Sequence, residues 1–341
     1  MKQKKVTFAD IAAYTGFSKT TISRYFNTPD SLTLENQEKI AHALDILGYQ
    51  ENKLAKVLAN GKSEFVGIII PNLYLHYYSE MLNQLLSTYE KYNYKFLVFI
   101  GNNKKEIEEK YIHELMAYKI EGLIVLSNTI SSEELASYKL PVVTIERECD
   151  HVCSVSTDNY LGGVQATSLL IRNKCDVILH INSIFPDTLP TYGRIRGFED
   201  ICNEHHVVHE LIQRNLGNTY QETLTQLKNI FNEIEEKYPS QKKGVFLAND
   251  TYASMFLNLI FQKYGKLPKD YQIVGFDDSP IASEAILPIT TVGQQIEKIA
   301  QTAMELLVLQ MNEMKKRKPA PLKEPVHKQI TPVLIRRNTT D

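Results

Sequence analysis

The fold this sequence predicts is a small all-α head of three short helices followed by a larger, two-lobed α/β body. Length is the first observation: 341 residues exceed a single small domain at the usual ~100–200 residues each. The second is a change of pattern. Apolar residues recur at helical spacing through the first fifty positions, whereas short continuous apolar runs alternate with amphipathic stretches from Phe65 onward. The third is charge: residues 1–62 carry nine basic residues against six acidic ones, and the rest of the chain is net acidic within a total of −2. A basic head on an acidic body is expected where one end meets phosphate. The boundaries that follow are a head over 1–51, a linker over 52–62 and a body over 63–341.

Composition excludes several classes. No apolar run approaches the ~18 residues of a membrane span. The basic start, Met1-Lys2-Gln3-Lys4-Lys5, is followed by no apolar export segment. A cytoplasmic protein with no membrane association is the expectation. Cys149, Cys153, Cys175 and Cys202 are scattered without a CxxC pair, which points to reduced structural thiols. No cofactor is expected.

The head can be read residue by residue. Thr7 caps a first helix with Asp10 returning the contact, and Phe8, Ile11 and Ala12 form its apolar stripe. Gly16 breaks it. Ser18 caps a second helix running from Lys19 to Phe26, with Ile22 and Phe26 at i, i+4. After the turn cluster Asn27-Thr28-Pro29-Asp30, Thr33 caps a third helix whose stripe is Ile40, Ala43, Leu44 and Leu47, closed by Gly48. Two helices joined by a tight glycine turn, with a third beside them, describe a helix-turn-helix. In such a module the second helix enters the major groove with its N-terminal residues at the base edges. Here these are Lys19, Thr20, Thr21 and, one turn on, Arg24, which has the fork to grip guanine O6 and N7. Ser18 and Ser23 suit phosphate.

These motifs, Thr7-Phe8-Ala9-Asp10-Ile11-Ala12 through Ser18-Lys19-Thr20-Thr21-Ile22-Ser23-Arg24 and then Leu47-Gly48-Tyr49, make the head resemble that of the lactose/galactose repressor (LacI/GalR) family. Tyr25-Phe26 is bulkier than the aliphatic pair usual there. From Asn52 to Gly61 the linker holds good helix formers over 54–59 and a stop at Asn60-Gly61. A helix this short is marginal in water and orders only when packed, since isolated helices need roughly 12–15 residues. The resemblance implies that two such hinge helices pair in the minor groove, with Leu58 wedged between base steps and Lys56 near the backbone. Leu54 and Leu58, at i, i+4, could instead pack on the body. The candidate DNA contacts are therefore Thr7, Ser18, Lys19, Thr20, Thr21, Ser23 and Arg24, with Asn52, Lys56 and Leu58 in the hinge.

In the body, strands are expected over 65–70, 95–100, 122–126, 142–145, 177–181, 245–248 and 272–276. Helices are expected over 78–92, 106–118, 161–172, 195–204, 219–236, 252–264 and 295–314. Continuous apolar strands, each followed by a helix, imply parallel sheets covered on both faces. A body of this size suits two lobes with a cleft at the carboxyl ends of the strands. The residues just after the strands are then the candidate pocket: Tyr74, His76, Tyr77 and Tyr78; Ser127-Asn128; Glu146-Arg147; Asn249-Asp250; Asp277-Asp278. Aromatics and hydrogen-bonding side chains in this mixture suit a polyhydroxylated ligand.

Weaker family resemblance continues through Val66 to Asn72, Thr157-Asp158-Asn159, Arg194-Ile195-Arg196-Gly197-Phe198, Ala248-Asn249-Asp250, Gly275 to Asp278 and Thr290 to Gln294. It implies a periplasmic-binding-protein-like fold in which Arg196 and Asp277 grip the effector, assisted by Asn249. Glu146 replaces the usual aspartate, and the aromatic run 74–78 replaces an asparagine–proline–aromatic one. The effector candidates are Tyr74, His76, Tyr78, Glu146, Arg147, Arg196, Asn249 and Asp277.

The function this implies is transcription regulation: a homodimer on palindromic operator DNA, controlled by a sugar, sugar acid or sugar phosphate. Control by a partner protein or a phosphorylated metabolite is the alternative. No nucleophile elbow, zinc-protease motif or phosphate loop points to an enzyme. Cys202, His206 and His209 could share a helical face with zinc-binding spacing, but surface histidines account for them better. A DNA-free sugar-binding protein would need an export signal and would not need the basic head.

Overall fold

The computed structural model describes residues 6–50, 63–147, 150–318 and 324–341. The chain divides into two compact units, Met1–Lys62 and Ser63–Asp341.

In the first unit, α1 (Phe8–Thr15) begins at Thr7, whose N–H and hydroxyl both donate to the Asp10 carboxylate at 2.8 and 2.6 Å. It ends at Gly16, φ 73°, a left-handed position that a Cβ would strain. The next helix, α2 (Lys19–Asn27), is capped by the Ser18 hydroxyl, which accepts the Thr21 N–H at 3.1 Å. A 3₁₀ turn (Pro29–Ser31) leads to α3 (Leu34–Leu47), capped by Thr33 and closed by Gly48 at φ 62°. Ile11, Ile22, Ile40 and Ala43 are the fully buried centre. The bulky Tyr25-Phe26 pair has a packing reason: Phe26 stacks on Phe8 at 5.2 Å and touches Tyr49 and Tyr25, completing an aromatic cluster behind α2. Ser18→Ala removes the cap, and we expect the head to lose ~1 kcal/mol. A thermal transition of the head unchanged by this substitution would mean that the cap does not support α2.

In the second unit the central strands of each sheet are buried on two sides, whereas the edge strands Lys95–Ile100, His209–Arg214, His327–Ile330 and Val333–Ile335 are partly exposed. The first lobe holds β1 (Phe65–Ile70), β2 (Lys95–Ile100), β3 (Gly122–Val125), β4 (Val142–Ile145), β5 (Cys153–Thr157) and, from the chain's end, β11 (His327–Ile330). Their order is β11-β5-β4-β3-β1-β2, all parallel. The second lobe holds β6 (Val177–Ser183), β7 (His209–Arg214), β8 (Lys243–Leu247), β9 (Tyr271–Asp277), β10 (Thr290–Gly293) and β12 (Val333–Ile335). Their order is β12-β10-β9-β8-β6-β7, parallel except for the antiparallel β10–β12 pair.

Alternation within β1 reveals the two covered faces. Val66, Ile68 and Ile70 pack with the helices His76–Ser87 and Ile296–Met314. Ile69 packs with Ile112 and Leu115 of the helix Lys105–Ala117. In the second lobe Leu179 and Ile181 face the helices Tyr220–Lys237 and Asp250–Tyr264, while Ile178 and Phe246 face Asn159–Arg172 and Gly193–Glu204. Among the described residues the chain passes between lobes three times, between β5 and the helix Asn159–Arg172, between β10 and the helix Ile296–Met314, and between β11 and β12. No described helix is long and apolar enough to cross a membrane.

The expected helix over 78–92 is divided into His76–Ser87 and Tyr89–Tyr92, the latter ended by Asn93 at φ 56°. The helix expected over 195–204 begins two residues earlier, at Gly193. That shift matters for the site.

Candidate functional site

A cleft of about 190 Å³ opens at the carboxyl ends of the strands of both lobes, where ligands of such sheets bind. One ordered water needs only ~10–15 Å³, so a ligand of monosaccharide scale fits. The first lobe contributes Tyr77 and Tyr78 from the helix after β1, Asn128 after β3 and Glu146 after β4. The second contributes Asn182 and Ser183 from β6, Arg194, Asn249, Tyr252 and Asp277.

The floor is a hydrogen-bonded chain lying where the polypeptide passes between lobes. Arg194 donates from Nε to Asn159 Oδ1 at 2.7 Å and from Nη1 to the Ala248 carbonyl at 2.7 Å, and its guanidinium lies 3.6 Å from the Phe276 ring centre. Asn159 donates from Nδ2 to Glu146 Oε2 at 2.8 Å, and the Thr157 N–H donates to Glu146 Oε1. Thr157 also donates from its hydroxyl to Gln294 Oε1 at 2.7 Å, and Gln294 donates to Asp277 Oδ1 at 2.6 Å. Four non-glycine residues here sit at positive φ: Glu146 (55°), Asp277 (113°), Asp278 (55°) and Gln295 (55°). Strain of this kind costs ~1–3 kcal/mol per residue and collects at ligand sites.

Burial sets the electrostatics. It pushes the Asp277 carboxyl well above the usual range, with the Arg194 charge opposing. Asp250, wholly buried behind the cleft, is pushed up to about 7 although Thr291 and Ser279 donate to it at 2.6 and 2.9 Å. His180 is neutral because burial holds it down to about 3. Its Nδ1 lies 3.0 Å from the Phe246 carbonyl and must donate there, so its Nε2 accepts from Asn182 Nδ2 at 3.2 Å. This fixes which way the Asn182 amide points.

Of the residues expected from sequence, Tyr77, Tyr78, Asn128, Glu146, Asn249 and Asp277 line the cleft. Asn249 also caps its helix, accepting the Tyr252 N–H at 2.8 Å. Arg196 does not line it. It is exposed, lies over Tyr192 and reaches the Asp187 carbonyl at 3.5 Å, whereas Arg194, 6% exposed, takes the place expected of it. Successive helical residues turn by ~100°, so two residues apart means nearly opposite faces. Arg147 is also displaced from its expected role: it is buried and donates to the Ser127 and Ile130 carbonyls, pinning the loop that carries Asn128. His76 pairs with Thr251 at 3.0 Å, and Tyr74 lies beside Tyr252; neither lines the cleft.

Close packing holds Arg194 in place. A Cβ on Gly163 would come within 2.3 Å of the Arg194 carbonyl oxygen, and one on Gly197 within 2.4 Å of that of Tyr160. The two helices therefore meet backbone to backbone. Sequence reading left out Arg194, Asn182, Ser183, Tyr252 and Gln294. The rule of taking residues after each strand, applied to 177–181, would have found Asn182 and Ser183.

The head presents Ser18, Lys19, Thr20 and Arg24 exposed on or beside α2, with Thr7 exposed and Thr21 and Ser23 half-buried. Asn52, Lys56 and Leu58 lie outside the described residues, as does Cys149. Cys153, Cys175 and Cys202 are buried free thiols. Cys202 faces the core while His205 and His206 are exposed, and no group of three metal-binding side chains occurs among the described residues.

Comparison with known proteins supplies four findings. The family model described as a periplasmic binding protein-like domain matches residues 168–340. The sucrose operon repressor of Streptococcus mutans is 26% identical over 303 residues, 88% of this chain and 91% of that protein. Among solved structures, the lac repressor dimer bound to operator and the anti-inducer ONPF superposes with a TM-score of 0.80 at 21% identity, covering 99% of each chain. A periplasmic binding protein/LacI transcriptional regulator from Alkaliphilus metalliredigens, complexed with D-xylulofuranose, gives a TM-score of 0.69 at 25% identity, covering 82% of this chain and 99% of that one.

Proposed function

The chain belongs to the periplasmic binding protein-like family, in its lactose/galactose repressor branch, and on that premise we propose that it is a sequence-specific DNA-binding repressor controlled by a small effector of the sugar class. It is a regulator and not an enzyme. The observation that carries this reading is the presence in one chain of two sites. One is an exposed, hydroxyl-rich reading helix with Arg24. The other is a cleft between lobes whose floor holds Arg194 and Asp277. The names of the relatives, a sucrose operon repressor and a ribose operon repressor, support the sugar class.

Thr7, Ser18, Lys19, Thr20, Thr21, Ser23 and Arg24 contact the operator, with Asn52, Lys56 and Leu58 of the linker. Arg194, Asp277, Asn249, Glu146 and Tyr78 hold the effector. One head reads only a half-site, so the working unit is a cytoplasmic homodimer on a palindrome. An effector that prefers one arrangement of the lobes changes operator affinity by its difference in affinity for the two arrangements, and operator changes effector affinity by the same factor.

Deleting residues 1–62 is expected to abolish operator binding and leave effector affinity unchanged. Fluorescence anisotropy of labelled operator together with calorimetry of the shortened chain measures both. Operator affinity retained by the shortened chain would overturn the assignment of DNA reading to the head.

A further inference from the structure

An acid that does not reach the cleft lies behind one of its walls. Glu108 is fully buried on the helix Lys105–Ala117, whose other inward residues are Ile112 and Leu115. Its Oε2 accepts from the Ser127 hydroxyl at 2.5 Å and from the Thr129 hydroxyl. Its Oε1 is buried with no hydrogen-bond partner among the described residues. Gly101 leaves the room for this carboxyl, since a Cβ there would come within 2.3 Å of Glu108 Cγ. An apolar side chain at 108 would continue the stripe of Ile112 and Leu115 and leave no buried oxygen unpaired, a state that carries a desolvation cost. What the acid adds is one acceptor for two hydroxyls.

Those two hydroxyls stand on either side of Asn128. Ser127 is buried, whereas Asn128 is exposed and lines the cleft. With both neighbours turned inward onto one oxygen, the residue between them faces outward. The backbone is held as well. Arg147, itself buried, donates to the Ser127 and Ile130 carbonyls, and the Ile130 side chain is fully buried in the first lobe's core. Ser131 then caps the helix Ser132–Ser137, accepting the Glu134 N–H at 3.2 Å. Each neighbour is therefore tied down, while the Asn128 side-chain amide makes no hydrogen bond among the described residues. Such an amide offers two donors and an acceptor.

Resting on the reading of this cleft as the effector site, we infer that Glu108 is a positioning residue for effector binding: through Ser127 and Thr129 it holds the loop so that the Asn128 amide stands ready in the cleft. Glu108 itself touches no ligand, and its contribution is preorganisation. A free loop would lose backbone and side-chain freedom when a ligand fixed Asn128, and that loss would be subtracted from the affinity. A loop already fixed from behind loses little. Glu108 therefore acts on binding only through Asn128, and removing Asn128 removes its influence.

The test uses the full chain and its variants Asn128→Ala, Glu108→Ala, Glu108→Gln and the combined Asn128→Ala/Glu108→Ala, with pentoses, hexoses and disaccharides as probes. Calorimetry on the tightest-binding sugar gives the affinities. Glu108→Ala is expected to weaken it by ~10-fold, the scale of ordering a loop and its side chain on binding. Glu108→Gln, which keeps an acceptor oxygen, is expected to recover most of that loss. The combined variant is expected to bind no more weakly than Asn128→Ala alone. In the unliganded chain, hydrogen exchange over 126–131 is expected to quicken in Glu108→Ala while β3 and β4 stay protected. Should Glu108→Ala fail to fold, Thr129→Val removes one donor at nearly constant shape, with a loss of ~3-fold expected that again vanishes in the Asn128→Ala background. Affinity losses that add in the combined variant, or loop exchange that does not change, would make Glu108 a residue of the fold alone and overturn the inference. No heat from any sugar with the parent chain would overturn the sugar-effector reading, and the hold of Glu108 on the loop would then stand or fall on the exchange.

Discussion

Arg194→Met is expected to weaken effector binding by at least ~100-fold and to abolish the effector's influence on operator affinity, whereas Arg196→Met should leave both nearly unchanged. Arg194 is buried, donates at 2.7 Å to Asn159 and to the Ala248 carbonyl, and stacks on Phe276. Charge-assisted hydrogen bonds are worth ~1.5–3 kcal/mol each. Losing the one to the ligand, and freeing Asn159 to drift from Glu146, compounds to that size. The variant's unliganded midpoint should fall too, because the Ala248 carbonyl loses its donor. Arg196 is exposed, and surface substitutions of its kind fall within ~0.5 kcal/mol. Calorimetry with the ligand, and operator anisotropy with and without it, separates the two. A larger loss at Arg196 than at Arg194 would return the grip to the outer arginine.

That pair of arginines also marks how far the sequence could be read. The segment Arg194-Ile195-Arg196 identifies the helix but not which arginine turns inward. The periodicity held the answer: Arg194 shares a face with buried Phe198 at i+4, whereas Arg196 shares one with exposed Asp200. The alternation of apolar runs and amphipathic stretches carried the two-lobed fold, because parallel strands covered on both faces leave long apolar stretches. It did not carry β5, β7, β10, β11 and β12. β5 and β10 are short and rich in serine or threonine, β7 is largely polar, and β11 exposes His327-Lys328-Gln329; β12 has only three residues, and it and β11 pair because the chain returns to each lobe late. The cleft floor was least legible of all. Gln294 bonds Asp277 and Thr157 across the crossings, a contact between residues 17 and 137 positions apart that no local pattern records. Nor does local pattern announce that Glu146 and Asp277 adopt positive φ, since tertiary contacts impose those conformations.

In the head, Arg24→Ala is expected to weaken the preferred operator by ~1–3 kcal/mol per head, roughly 5- to 150-fold, and to relax preference at one base pair in each half-site. The fold of the head supports a base-reading role over a stabilising one. Arg24 is exposed on α2, one turn beyond Thr20, while Ile22 alone in that helix is fully buried. The aromatic cluster of Phe8, Tyr25, Phe26 and Tyr49 braces the opposite side, so the substitution should leave the head's unfolding midpoint within ~0.5 kcal/mol of the parent. Salt dependence tells base from backbone. A side chain that neutralises a phosphate releases a counterion, and losing it lowers the slope of log K against log[salt] by ~0.9 per contact. A side chain that grips guanine changes sequence preference while leaving that slope nearly intact. Binding measured on the palindrome and on its single-base variants, at several salt concentrations, therefore decides between them. A lowered slope with an unaltered ranking of operator variants would move Arg24 to the backbone and leave the base edges to Lys19, Thr20 and Thr21.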